Sequence, residues 1–128
     1  MGKLTTLFDT SVLIGPNEGQ GPQLDGACAV SVIAVGELYA GVLLATKDAS
    51  QAARLQRLAN VLADASVLEI DRSVTARYGE LRAAAGRCPS NDLWIAATAL
   101  AHDLTLLTMD EGQAALPLVR TRLASAGG

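Results

Sequence analysis

Apolar residues follow two alternating patterns along this chain. Short unbroken runs occur at 3–9 (KLTTLFD), 27–31 (ACAVS), 66–70 (SVLEI), 104–108 (around TLLT) and 117–120 (PLVR). Runs of this length without polar alternation fit strands buried on both faces. Between them, apolar residues recur at helical spacing. TSVLIG after Asp9 predicts a helical turn or short helix. Val35, Leu38, Val42 and Ala45 mark a helix over 32–45, and Leu55, Leu58, Val61 and Leu62 a stripe on the next, with Asp48 as its predicted cap. Asp71 is predicted to cap a helix presenting Val74, Tyr78 and Leu81, with Gly86 as its stop. Ser90, after Pro89, is predicted to cap a helix reaching His102. PNEGQGPQLDG at 16–26 reads as loop, MDEGQAAL as a turn or helical turn, and the Ala/Ser/Gly tail as frayed.

Strands alternating with helices predict an α/β protein: a three-layer α/β/α sandwich around a mainly parallel sheet. No repeat or linker splits the chain, so residues 1–124 read as one domain and 125–128 as a flexible tail.

Composition narrows the function classes. The chain has 128 residues, 50% hydrophobic and 18% charged, enough for a real core. Its net charge of −3 supplies no overall basic field for nucleic acid, so any phosphate chemistry must be local. Cys28 and Cys88 form no CxxC and read as buried or free thiols in a reducing compartment. With His102 the only histidine, a His/Cys zinc site is disfavoured. Thr5, Thr6, Asp9, Thr10 and Ser11 interrupt the first apolar run, so no export signal is expected. The stretch 27–46 approaches membrane-spanning length, but Glu37 sits near its middle between Gly36 and Gly41. A cytoplasmic protein without a membrane segment is expected.

Glu37 raises the chemical question, because a lone buried carboxylate is expensive unless it meets a partner. In parallel sheets, ligands bind beyond the carboxyl ends of the strands. Asp9 ends the first strand, Asp110 follows TLLT, Asp92 lies in the first turn of a helix, and Glu37 lies within two turns of the start of its own. All four can converge at one edge of the sheet. Crowded carboxylates repel each other, and a hard divalent cation relieves that repulsion. Each acid also has a plainer explanation. Asp9 can cap the following turn, Asp92 gains from the helix dipole, and Asp110 before Glu111 and Gly112 is ordinary turn chemistry. Glu37 has the weakest such alternative. His102, predicted about 15 Å from Asp92 along the helix at ~1.5 Å per residue, offers no nucleophile–base pair.

The segments FDTSVLI, SVIAVGELYAGV and NDLWIAATALAHDLTLLTMD, in this order over nearly the whole chain, resemble the PIN-domain nucleases, in particular the VapC-type toxins of bacterial toxin–antitoxin pairs. The resemblance implies a parallel sheet flanked by helices and an acid cluster holding Mg2+ or Mn2+. It also implies metal-dependent endoribonuclease activity on RNA (a structured RNA such as tRNA or rRNA), a cognate VapB-type antitoxin, a homodimer and a higher assembly with the antitoxin. Its four acids fall on Asp9, Glu37, Asp92 and Asp110, as catalytic and metal-binding residues. Thr10, Ser11, Asn91 and Thr108 match its supporting polar residues. The stretch 16–26 is mostly loop where the family often has a longer helical stretch. MDEGQAAL lacks the family's acid–Phe pair, so Glu111 stands as the alternative fourth acid. A phosphoacceptor domain is disfavoured because the only lysines are Lys3 and Lys47, and a nucleotide-binding domain by the lack of GxxxxGK. The alternative reading is a catalytically inactive PIN-like module that binds RNA or protein. The helices 32–45 and 51–63 are expected to form a groove for an amphipathic antitoxin helix.

Overall fold

A computed structural model of the chain describes residues 3–15, 24 and 27–125. Five strands, β1 (Thr6–Phe8), β2 (Cys28–Ser31), β3 (Ser66–Leu68), β4 (Thr105–Thr108) and β5 (Thr121–Leu123), form one sheet in the order β3-β2-β1-β4-β5. Every pairing is parallel. Among the described residues six helices flank it: α1 (Thr10–Ile14), α2 (Val32–Leu44), α3 (Asp48–Asp64), α4 (Arg72–Ala85), α5 (Ser90–Ala101) and α6 (Glu111–Ala114). The expected α/β architecture is present. The loop expected over 16–26 lies, apart from Leu24, outside the described residues, as does the tail beyond Ser125.

The strand order places the site. The chain builds β1, β2 and β3 outward in one direction, then returns to lay β4 and β5 on the other side of β1. The order reverses between β1 and β4, and the crevice beyond the carboxyl ends of those strands is where open parallel sheets bind ligands. β1 runs into Asp9, whose backbone N–H donates to Leu107 O of β4 at 2.8 Å. β4 runs into Met109 and Asp110.

The core forms as the apolar runs require. Leu7, Ala29, Val30 and Leu106 from the strands are sealed against Leu38, Leu58, Val74, Leu81, Leu93 and Ile95 from the helices. α4 packs along α5, and α2 along α3. Tyr78 of α4 stacks on Trp94 of α5 with ring centroids 4.0 Å apart. Within the expected stripe of α3, Leu58 and Val61 are buried while Leu55 and Leu62 stay exposed.

Three local expectations are corrected. The last strand lies at Thr121–Leu123, not 117–120. Pro117 lacks an N–H for the ladder, Leu118 takes a positive φ of 72°, and pairing begins only where Leu106 N donates to Arg120 O. Ser90 does not cap α5: Pro89 occupies the cap position and Ser90 Oγ instead accepts from Arg82 Nη2 at 3.2 Å. Asp48 is the first residue of α3 rather than its cap, and Lys47 precedes it without a side-chain bond. Asp71 does cap α4, accepting from Val74 N at 3.1 Å. Among the described residues no helix is long and apolar enough to cross a membrane.

Candidate active site

Asp9 is the anchor. The turn from β1 into α1 leaves its side chain to cap that helix, with Ser11 N donating to Oδ2 at 3.3 Å. Two hydroxyls converge on the same oxygen: Ser11 Oγ at 2.6 Å and Thr108 Oγ1, from the end of β4, at 2.9 Å. Thr108 Oγ1 has a second acceptor in Gln113 Oε1 at 3.2 Å, and the charge-assisted bond to Asp9 is the shorter and stronger of the two. Both hydroxyls are fixed from behind. Met109 N donates to Ser11 Oγ at 2.9 Å, and Asp110 N to Thr108 Oγ1 at 3.0 Å. Asp9 is only 5% exposed, yet among the described residues its Oδ1 meets no donor. A buried carboxylate is thus held rigidly by one oxygen, with the other left for a ligand.

Glu37 lies on α2, which starts where Ser31 accepts from Ile33 N at 3.1 Å. Its Oε1 accepts from Thr10 Oγ1 at 2.5 Å, the residue next to Asp9. This hydroxyl is the partner the sequence left unidentified, and it ties Glu37 to the start of α1.

Asp92 stands in the first turn of α5, half-buried. Among the described residues no hydrogen-bond donor or cation meets its carboxylate. Its pKa is pushed above the ordinary carboxylate range, first by burial, then by the charges of Asp9, Asp110 and Glu37. The charges of the other three acids thus all reach Asp92. Glu111 does not appear among these charges, so of the two candidates for the fourth acid, Asp110 is the one whose charge bears on the cluster. Asp110 is also a working cap: its Oδ1 accepts from Gly112 N at 2.8 Å and Gln113 N at 3.4 Å. The plain and the functional explanations of this residue coexist.

Of the supporting residues, Thr10, Ser11 and Thr108 touch acids directly. Asn91 does not: it is exposed and makes no hydrogen bond among the described residues. The missing support comes from Gln113, only 2% exposed, whose Nε2 donates to Asp92 O at 3.1 Å while its Oε1 faces Thr108. It ties the α5 start to the β4 end. The available signal was its place three residues after a capping aspartate. Arg54 and Arg57 were also passed over; with Glu37 they line a cleft of about 370 Å3.

Among the described residues no three His, Cys, Asp or Glu side chains stand close enough to cage a metal ion as they are. The donor set is nonetheless entirely carboxylate oxygen, the chemistry that hard cations take, and Mg2+ characteristically binds through one or two carboxylates and retains waters. The free oxygen of Asp9 and the unpaired, destabilised carboxylate of Asp92 fit that mode.

The family model of the PIN domain matches residues 6–118. Ribonuclease VapC4 of Mycobacterium tuberculosis is 39% identical over 122 residues, covering 87% of this chain and 90% of the relative. VapBC-5 from M. tuberculosis, a member of the VapBC family of toxin–antitoxin systems, superposes with a TM-score of 0.78 at 32% identity, over 95% of this chain and 100% of that one. FitAcB from Neisseria gonorrhoeae superposes with a TM-score of 0.78 at 28% identity, over 91% and 96% of the two chains.

Proposed function

This chain belongs to the PIN-domain family, and on that premise we propose that it is a divalent-metal-dependent endoribonuclease toxin held in check by a cognate antitoxin. The observation that carries the reading is the pairing of Asp9, clamped by one oxygen, with Asp92, unpaired and burdened by three neighbouring charges. Residues 1–124 act as one domain, in the cytoplasm.

Mg2+ or Mn2+ would be held by Asp9 and Asp92, with Glu37 and Asp110 completing the cluster directly or through water. Such an ion neutralises a scissile phosphodiester and lowers the pKa of a bound water. The chain's own residues do the positioning. Ser11 and Thr108 hold Asp9 through Oδ2 and leave Oδ1 for the ion. Thr10 keeps Glu37 turned toward Asp9, and Gln113 fixes the backbone of Asp92.

The antitoxin would cover α2 and α3, where Tyr39, Leu43, Leu44, Leu55 and Leu62 are exposed. An amphipathic helix suits that face, and an antitoxin arginine reaching the acids would pair with them in place of the metal. A homodimer and a larger assembly with the antitoxin complete the proposal.

Expression without an antitoxin tests the reading. The parent protein should arrest growth and Asp9→Ala should not. Equal arrest by both proteins would favour an inactive module that acts by binding RNA or protein.

A further inference from the structure

The four acids pose a problem for their own substrate. RNA carries a negative charge at every nucleotide, the chain is net negative, and the site adds four carboxylates. A strand can settle there only if cations beside the acids take up its flanking phosphates.

One cation stands ready. The cleft lined by Ile14, Glu37, Leu38, Gly41, Arg54 and Arg57 adjoins the acids through Glu37, which bonds to the neighbour of Asp9. Arg57 lines this cleft, and its Nε and Nη2, shut off from solvent as the side chain lies, find no hydrogen-bond partner among the described residues. No ion pair joins Arg57 to Glu37 among them. Leaving two guanidinium N–H groups buried and unpaired is costly, and a change of rotamer into the cleft that Arg57 lines would give both of them a ligand. Their identity specifies the ligand's shape: Nε and Nη2 point the same way and form the side-on fork that matches two oxygens of a phosphate. Arg54, whose Nη1 is bonded to Gly41 O at 2.7 Å, adds positive charge to the same cleft. Across the acids, Asp92 and Asp110 line a second cleft, of about 470 Å3, that also contains Arg87. The acid cluster is thus bordered on two sides by arginine-bearing clefts, as a bound polyanion requires.

We propose that the Arg57 fork binds the RNA phosphate flanking the one that is cut. It thereby sets the register of the strand over Asp9 and Asp92. The proposal rests on the ribonuclease reading and adds a substrate-positioning residue to it.

The test compares the parent protein, Arg57→Met and Arg57→Lys. Binding of a short fluorescent single-stranded RNA is measured in EDTA over a range of salt, alongside Mn2+-dependent cleavage of total RNA. Arg57→Met should bind about tenfold more weakly, as expected for a lost charged hydrogen bond. Its plot of log affinity against log salt should be shallower by about 0.7, the share of one phosphate on a single strand. Arg57→Lys should recover the slope but only part of the affinity, having charge without the fork. Thermal melting of Arg57→Met should be no lower than the parent's, since no protein bond is lost. If the parent cleaves RNA while Arg57→Met binds with the parent's affinity and slope, the inference fails and the ribonuclease reading stands. If Arg57→Met loses only its grip on the cognate antitoxin, the cleft serves the protein partner and the inference also fails. A parent that neither binds nor cleaves RNA would remove both.

Discussion

Asp92 works against the fold that carries it. Burial and the charges of Asp9, Asp110 and Glu37 raise its pKa, so its ionised form is penalised in the folded state relative to the unfolded chain. Between the ordinary carboxylate value and the raised one, the folded protein binds more protons than the unfolded, and stability falls as pH rises. Above the raised value the full penalty is present. Asp92→Asn removes it. Without metal, the variant should therefore melt above the parent at neutral pH, and the difference should shrink as pH falls from the raised value toward the ordinary carboxylate value and be gone below it. Because Asp92 is only half-buried, solvent screening keeps the gain modest. Adding Mn2+ should raise the melting temperature of the parent and leave the variant nearly unmoved. A variant no more stable than the parent at neutral pH would mean the acids do not crowd. Where the acids lie in the fold was legible in the sequence, because strand ends and the early turns of helices place them. What held them was less so. Gln113 looked like part of a polar turn, and its role depends on two contacts, to Asp92 and Thr108, that only the fold creates. Asn91 failed for the converse reason: adjacency to an acid in sequence does not place a helical side chain on the same face.

The α4–α5 pair shows how elements place a site residue. Arg82 donates through Nη1 to Gly86 O and Cys88 O, and through Nη2 to Tyr78 Oη and Ser90 Oγ. Its guanidinium also lies 5.5 Å from the Tyr78 ring centroid. These bonds fasten the turn after Gly86, whose φ of 69° suits a residue without Cβ, to the first residue of α5. Asp92 follows two residues later. Arg82→Met keeps the aliphatic stem but frees that turn. It should cost about 1–2 kcal/mol in denaturant unfolding. It should also weaken Mn2+ binding, because the α5 start is no longer fixed. Unchanged stability would show that the turn is held by packing alone. The sequence reads Arg72, Arg77, Arg82 and Arg87 as residues spiralling around a helix, with no reason to single out one. Helix existence was readable from periodicity; end chemistry was less so. Pro89 displaced Ser90 from its expected cap, and Pro117 with Leu118 delayed the last strand.

For the molecule as a whole, the parallel sheet and its reversal at β1–β4 follow from alternating strands and helices, and they explain why residues so distant in sequence meet. The apolar faces are less economical. Leu43 and Leu44 of α2 are 78% and 75% exposed, which is unusual for two adjacent leucines on a helix that also buries Leu38 and Val42. If the antitoxin covers that face, Leu43→Asp should reduce antitoxin affinity by 100-fold or more, at roughly 3 kcal/mol for a buried apolar anchor replaced by a charge. Its melting temperature should stay near the parent's. Leu58 of α3 cannot serve in such a test, because it is 3% exposed and its loss would unfold the core. Unchanged antitoxin affinity in Leu43→Asp would move the partner to another face.

All of this converges on one reaction, and purified protein can report it. Total RNA is incubated with the parent, Asp9→Asn and Asp92→Asn proteins, each with Mn2+ and each with EDTA, and the fragments are resolved by size. The parent with metal should release a few discrete fragments. EDTA should stop it, and both variants should lose at least 100-fold in rate, about 2.7 kcal/mol of transition-state stabilisation. Cleavage by Asp9→Asn at the parent's rate, or cleavage that persists in EDTA, would contradict the acid cluster as the active site.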